Sequence, residues 1–598
     1  ICWSPRSRIV GRRSRMDDSS KLDSSPEASS PENTAPKAST PEPKRRGSAA
    51  ALVAAGILLS RLSGLVREKA VAYFFGVGAH LDVYQLVMRG ANLINNLLGE
   101  GTLSASFIPI YSRMLEEGRE RDAGRFAGAI FGLLVAVAAA IVAIGLLAAP
   151  VVVAVLAPGF LDDAELVQAG EMSVDRYALA VGMFRIALPM AALLALSAWA
   201  LGVLNSHRRF LLPYAAPVMM NASVIAALIF MASRQFEDPF SLGALDVIPV
   251  DALNALLWAA VAGALAGGAL QFLIQLPLVF RLLRGFRFSL SRKVEGVREA
   301  LRAFGPVLAG RGVYQFSSYL DTILAGLATA GTLGALRPAL VLYLLPVSLF
   351  GMSVAASELP ELSRISQARL SEFLGRVNRS VRQMLFLLIP TVVVYVGFGL
   401  LVVGLLFGGG AFGLDDTWLV YLILAGYSLG LAATAVSRLL QNSFYALNDT
   451  KTPAKIAVAR VVASGLIGAA LMFWLDAVTL PDLGLPAEGR PLTLAAVGLA
   501  LGSAVGAWVE LLALRWALRI RLDGFDLPWG RALQVLGLAG LSAIPAALVR
   551  WALPPTEVPF ALHALAVLTA FGVTYLGLAV ALKFEESEAW LGRFVRRR

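Results

Sequence analysis

Residues 60–113 read SRLSGLVREKAVAYFFGVGAHLDVYQLVMRGANLINNLLGEGTLSASFIPIYSR. Arg61, Arg67, Glu68, Asp82, Arg89 and Glu100 interrupt two segments that are otherwise apolar enough to sit in a bilayer. A charge near the middle of a membrane helix costs roughly 2.5–3.5 kcal/mol on insertion scales, so several together point to a water-filled cavity or a polar path. On a helix that turns about 100° per residue, Arg89, Asn92, Asn96 and Glu100 fall within about 80° of Asp82, which gives one polar stripe. Arg61 and Glu68 share a face of the preceding helix, and Arg67 lies on an adjacent one. A buried ion-pair network that only locks helices together is the other reading of the same residues.

The surrounding chain explains what such a stripe is doing in an apolar segment. Of 598 residues, 57% are hydrophobic and 16% charged, the composition of an integral membrane protein. The apolar runs are long and Leu/Ala-rich rather than alternating, which predicts an all-α membrane protein and not a barrel. With about 20 residues needed per span, fourteen transmembrane helices are expected, at 49–75, 82–111, 126–157, 177–204, 213–233, 252–280, 303–328, 332–360, 384–408, 417–445, 453–475, 491–518, 530–552 and 559–582. The net charge of +11 does not signal nucleic acid, because the basic residues gather in alternate loops, such as His207-Arg208-Arg209 and Arg281 to Lys293. The intervening loops are acidic or neutral, as at Asp162-Asp163 and Asp415-Asp416, so the positive-inside rule puts both termini in the cytoplasm. Residues 1–47 are rich in Ser, Pro, Glu and Lys and are expected to be a disordered cytoplasmic tail.

An internal repeat organises the spans. The phrase Ser106-Phe107-Ile108-Pro109-Ile110-Tyr111-Ser112-Arg113 returns about 250 residues later as Ser357-Glu358-Leu359-Pro360-Glu361-Leu362-Ser363-Arg364, and Arg61 has a counterpart in Arg311. The expected organisation is a six-helix lobe at 48–282, a cytoplasmic linker at 283–298 and a second six-helix lobe at 299–476, completed by 491–518. Two C-terminal helices within 519–583 and a basic tail at 584–598 follow. Six is even, so the lobes form a parallel repeat, an arrangement that commonly holds substrate at the lobe interface. Arg311 and Asp321 lie about 80° apart on the seventh helix and line one wide face. Arg337-Pro338 opens the eighth helix, and Arg460 and Glu510 read as a packing pair or as helix-end charges that reach water. The linker, RLLRGFRFSLSRKVEGVR, suits either an amphipathic surface helix or a solvated connector.

No catalytic or metal constellation stands out. His80, His207 and His563 are far apart, Cys2 is the single cysteine, and the phosphate loop GxxxxGK[ST] is missing. Gly408, Gly410 and Gly413 fit GxGxxG only in a short loop with no preceding strand. No cofactor is expected, and transport would draw on a coupling ion such as Na+ or H+, the membrane potential or the substrate gradient.

The segments SRLSGLVREKAVAYFFGVG, LDVYQLVMRGANLINNLLGEGTLSASFIPIYS, GVLNSHRRFLLPYAAPVMMN and FYALNDTKTPAKI resemble the MurJ (MviN) lipid II flippases of the multidrug/oligosaccharidyl-lipid/polysaccharide exporter superfamily. The resemblance covers residues 50–475. It implies fourteen helices, a central cavity between two lobes and a groove for a lipid tail at the last helix pair. The implied activity is movement of undecaprenyl-diphosphate-linked disaccharide-pentapeptide from the inner to the outer leaflet of the bacterial cytoplasmic (inner) membrane for peptidoglycan synthesis. Membrane lipids and cell-wall synthesis proteins are the implied partners of a monomer. Family cavity positions carry over to Arg61, Arg67, Glu68 (commonly Asp in the family) and Asp82, while Arg89, Asn92, Glu100 and Gly101 match the motif on the second helix. Asn96, Arg311 and Asp321 complete the expected substrate-binding set. Asn95-Asn96 stands where relatives often carry a basic pair, Val341 where they carry an arginine and Ala91 where they carry a proline, so this cavity holds fewer positive charges. Export of another polyprenyl-linked glycan or a small cationic compound, a non-transporting cell-wall scaffold and an enzyme acting on lipid diphosphates are the competing readings.

Overall fold

A computed structural model describes residues 43–99, 103, 106–241, 248–352, 354, 358, 362, 370–485, 492–522, 524–554 and 558–587. The chain divides into Ile1–Ser48, of which only the helical residues 43–48 are described, and Ala49–Arg598, which holds everything below. The N-terminal tail, most of the repeated phrase at 357–364 and the basic end of the chain lie outside the described residues.

Twenty α-helices make up the described part: α1 (Pro43–Phe75), α2 (Ala79–Leu98), α3 (Ile108–Glu116), α4 (Glu120–Leu156), α5 (Asp163–Gln168), α6 (Arg176–Ser206), α7 (Leu211–Ala215), α8 (Pro217–Gln235), α9 (Val250–Leu273), α10 (Leu276–Leu282), α11 (Val297–Ala325), α12 (Thr332–Pro346), α13 (Leu370–Gly397), α14 (Gly399–Phe407), α15 (Leu414–Ser428), α16 (Leu431–Ala446), α17 (Lys451–Leu475), α18 (Ala495–Arg521), α19 (Trp529–Ala552) and α20 (Phe560–Ala581). Extended pairing among the described residues is confined to the bridges Gly409–Phe412 and Thr479–Thr493. The fold is all-α, because only a helix satisfies its own backbone in lipid without a closed barrel. Among the described residues, eleven stretches are long and apolar enough to cross a membrane. α1, α2 and α11 are not among them, and these carry Arg61, Arg67, Glu68, Asp82, Arg89 and Asp321.

Several boundaries differ from the expected spans for local reasons. The expected span at 417–445 corresponds to one apolar stretch, Leu414–Ala446, built of two helices, α15 and α16, which meet at Gly430, where a methyl group would lie 2.7 Å from Ala504 Cα. α13 gives way to α14 at Phe398. α12 ends at Pro346, and a π-helical turn over Val347–Met352 follows. Proline removes one backbone donor and crowds the preceding turn, a known cause of such irregularity.

The linker forms no helix between Leu283 and Gly296. It runs along a glycine ridge on α4: methyl groups at Gly124, Gly128 and Gly132 would lie 2.0, 2.1 and 2.3 Å from the carbonyl oxygens of Arg284, Arg287 and Ser289. On α1, a methyl group at Gly56 would lie 2.7 Å from Tyr214 Cβ, whereas one at Gly64 would make only ordinary contact.

Packing is densest between α17 and α18, α8 and α9, and α2 and α6. α2, α4, α6, α8 and α9 pack mainly on one another, as do α12, α13, α15, α16, α17 and α18. The chief bridges between these sets run from α2 to α11 and α12 and from α4 to α11. α19 and α20 pack together, with α19 also against α13.

Candidate functional site

A chamber of about 490 Å³ lies among α1, α2, α8, α11 and α12. Its charged lining comprises Arg67, Arg89, Arg337, Glu68 and Asp321, with Tyr84, Gln85, Asn92, Asn96 and Tyr319 as polar neighbours and Met88, Leu333, Leu336 and Leu340 among the apolar wall. Three arginines therefore face two carboxylates, which leaves an excess of positive charge in an enclosed space.

Glu68 organises this lining. It is 4% exposed, and Arg67 Nη2 donates to its Oε1 at 2.7 Å. Arg337 Nε donates to the same oxygen at 3.4 Å, and Gln85 Nε2 to Oε2 at 3.4 Å. A buried carboxylate needs such partners, since an unpaired ion away from water costs several kcal/mol. Arg337 is 45% exposed, so its remaining donors face the open space. Arg67 Nε is buried without a hydrogen-bond partner. Arg89 sits over the Tyr319 ring at 5.7 Å, and Tyr319 Oη donates to the Arg89 carbonyl at 2.5 Å, which fixes α2 against α11. A planar, permanently charged guanidinium with several donors suits a carboxylate or phosphate oxygen pair.

The sequence-derived residues separate into four places. Arg67, Glu68, Arg89, Asn92, Asn96 and Asp321 converge on the chamber. Arg61 does not: its Nη1 donates to Ser348 Oγ on the π-helical turn at 2.6 Å, and it lines a neighbouring cavity. Asp82 also lies elsewhere, 1% exposed, accepting from Gly331 N and Gly334 N at 2.6 Å each and from Arg176 Nη1 at 3.3 Å. Glu100 and the side chain of Arg311 lie outside the described residues. Arg337, Gln85, Tyr84 and Tyr319 join the chamber although they were not in the expected set. Gln85 had a readable signal, because it falls on the polar stripe between Asn92 and Asn96.

Asp82 belongs to a buried polar knot at the end of the chamber nearest the acidic loops. Arg176 makes a bidentate pair with Asp163, 2.6 Å from Nε and 2.8 Å from Nη2, and lies 4.2 Å over the Phe160 ring. Asp82 sits at the start of α12, where free backbone N–H groups and the helix dipole favour a carboxylate. Close by, Val77 N donates to Asp416 Oδ2 at 3.0 Å, and Ala411 N donates to the Tyr73 carbonyl at 2.8 Å. Segments distant in the chain are thus tied together at this end.

Two further features lie outside the chamber lining. An apolar groove of about 340 Å³ lies between α13, α16, α18 and α19, lined by Leu385, Ile389, Trp508, Leu511, Trp529 and Leu533 among others. Arg460 and Glu510 form the packing pair expected of them, 2.6 Å apart, with Gln441 Nε2 donating to the second carboxylate oxygen at 2.6 Å.

Comparison with known proteins identifies what kind of chain carries this arrangement. A family model described as lipid II flippase MurJ matches residues 71–571. The probable lipid II flippase MurJ of Rhizobium tropici is 30% identical over 470 residues, covering 77% of this chain and 79% of that protein. The lipid II flippase MurJ of Burkholderia cenocepacia is 29% identical over 511 residues, 84% and 89% of the respective chains. Among solved structures, a lipid II flippase MurJ in an inward closed conformation aligns with a TM-score of 0.64 at 20% identity, covering 89% of this chain and 99% of that one. An inward-facing multidrug resistance MATE family transporter of the MOP superfamily aligns at 0.53 with 14% identity, over 78% and 94%. These structural likenesses establish the fold alone. The family match over most of the chain, joined to eleven helices apolar enough to span a bilayer, means that this chain belongs to the MurJ lipid II flippase family and is a multi-pass protein of the bacterial inner membrane.

Proposed function

We propose that the chain moves lipid II, the undecaprenyl-diphosphate-linked disaccharide-pentapeptide, from the inner to the outer leaflet by alternating access, without chemically changing it. The observation that carries this reading is the chamber in which Arg67, Arg89 and Arg337 converge around Glu68 and Asp321. A diphosphate cannot cross hydrocarbon bare, and arginine forks replace the water it loses. Glu68 keeps Arg67 and Arg337 positioned while the chamber is empty and surrenders them when phosphate oxygens arrive.

The apolar groove beside α19 suits the polyprenyl tail, whose burial away from the polar chamber lets one lipid occupy both surfaces. In this reading the two helix sets are six-helix lobes at 48–282 and 299–476 with 491–518, related by a parallel repeat, which rock about the chamber. Both termini are cytoplasmic and the Asp82 knot faces outward, so its opening releases the head group. The Arg61–Ser348 hydrogen bond ties α1 to the π-helical turn that follows α12.

The test is complementation of a strain conditionally deficient in its lipid II flippase. Growth rescue by this chain supports the proposal; failure of a correctly inserted protein to rescue contradicts it. A second reading, export of another polyprenyl-linked glycan, draws on Asn95 and Asn96, which supply neutral amides at the chamber edge. It predicts no rescue but diphosphate binding that still depends on Arg67. Export of a small cation is disfavoured by the excess of arginine over carboxylate.

A further inference from the structure

Next to the chamber lies a second cavity of about 350 Å³, enclosed by α1, α2, α6, α7, α8 and α9. Its polar lining is Ser60, Asn95, Ser197, Tyr214 and Gln271, with Arg61 as the single charged group among the described residues. Leu194, Leu201 and Pro213 contribute to an apolar wall. The polar groups are organised from behind by Gln275, which is fully buried. Gln275 Nε2 donates to Ser197 Oγ at 2.7 Å and to the Gln271 carbonyl at 2.8 Å, and Gln271 Nε2 donates to Ser197 Oγ at 3.3 Å. Two donors on one hydroxyl oxygen turn the Ser197 proton outward toward another acceptor. Gln275 Oε1 is buried without a hydrogen-bond partner. Among the described residues the cavity wall thus offers hydroxyl, phenol and amide groups in combination with apolar surface, and no carboxylate.

Asn95 lines this cavity, and its neighbour Asn96 lines the charged chamber. A ligand held by its anionic part in the chamber can therefore pass the edge of α2 and place its remainder here. Extra room is needed, since 490 Å³ falls in the lower half of the roughly 300–1,000 Å³ that enclose a drug-sized ligand, and a disaccharide bearing a peptide is larger.

We propose that the second cavity is a subsite for the uncharged, hydroxyl- and amide-rich part of the head group, with Asn95, Ser197, Tyr214 and Gln271 as its hydrogen-bonding groups. This inference rests on the lipid-diphosphate reading above. Neutral donors and acceptors add selectivity that arginines cannot, because a site built to hydrogen-bond a group rejects ligands that lack it.

The test compares the wild-type chain with Asn95→Leu combined with Gln271→Leu. Binding is measured for polyprenyl diphosphate, for polyprenyl diphosphate bearing the disaccharide alone, and for the full glycopeptide lipid. Loss of two hydrogen bonds weakens glycopeptide binding about tenfold, while polyprenyl diphosphate binding stays within about twofold and shows that the variant is folded. A tenfold loss already seen with the disaccharide assigns the subsite to the sugars; one confined to the full lipid assigns it to the peptide. Ala198→Leu, which fills the cavity while keeping every hydrogen-bonding group, should reproduce the selective loss. Equal loss for all three probes, or no loss for any, overturns the subsite alone. Absence of wild-type binding to all three overturns the lipid-diphosphate reading and the subsite with it.

Discussion

Glu68 is the residue on which the chamber depends, because its two oxygens carry contacts from Arg67, Arg337 and Gln85. Removing it leaves two guanidiniums close together without their common partner. Glu68→Ala is expected to lower stability by about 3 kcal/mol, the scale for breaking a buried pair, read as the thermal unfolding of the purified protein. Glu68→Asp, which keeps the charge, should retain most of that stability; equal losses for the two variants would argue against charge pairing as the cause. Part of this site was legible in the sequence. Arg89, Asn92 and Asn96 lie on one straight helix, where residue spacing fixes the shared face. Asp82 lies on the same helix, yet its carboxylate is taken up by Arg176 and by the N–H groups of Gly331 and Gly334, and backbone donors leave no signature in sequence. Arg337 reaches Glu68 across 269 positions of chain, a separation that periodicity cannot bridge.

Among the elements, α4 shows how a readable pattern acquires an unexpected partner. Gly124, Gly128 and Gly132 have the spacing of a helix–helix contact, but the surface they open receives the extended linker. Gly128→Leu should dislodge it, giving a lower unfolding temperature and faster protease cleavage within residues 284–290; an unchanged cleavage pattern would show that the linker does not need the ridge. At the start of α17, Asp449 accepts from Lys451 N and Thr452 N at 3.1 and 3.0 Å and also pairs with Arg521. The Thr452 hydrogen bonds, with Arg521 beside them, hold its carboxyl below the ordinary carboxylate value. A group whose pKa is depressed by folding stabilises above its unfolded pKa of about 4 and loses that contribution as pH falls through its folded value. The unfolding temperatures of wild type and Asp449→Asn should therefore differ at pH 7 and converge below about pH 4, whereas a difference independent of pH would exclude this linkage. The expected span at 332–360 carried no break, and nothing in the sequence reading showed that a π-helical turn after Pro346 would present Ser348 to Arg61.

For the whole molecule, the Asp163–Arg176–Asp82 knot and the Asp416–Val77 contact tie together segments distant in the chain, while Arg337, 45% exposed, lines the charged chamber. Under alternating access, a state of this kind is one of at least two whose populations the substrate shifts. Asp82→Ala should open the outer end, so that a cysteine placed at Met88, in a chain whose single native Cys2 is replaced, reacts faster with an impermeant thiol reagent added outside; an unchanged rate would remove Asp82 from the closure. The central claim is that the arginines of the chamber carry a lipid diphosphate across the bilayer. It is tested most directly by translocation of labelled lipid II in proteoliposomes containing the wild-type chain or Arg67→Ala combined with Arg337→Ala. Each charged hydrogen bond contributes about 1.5–3 kcal/mol, so the double variant should move substrate at least about a hundredfold more slowly per folded molecule, the folded amount of each protein being measured alongside. Translocation by the double variant at the wild-type rate would contradict the account.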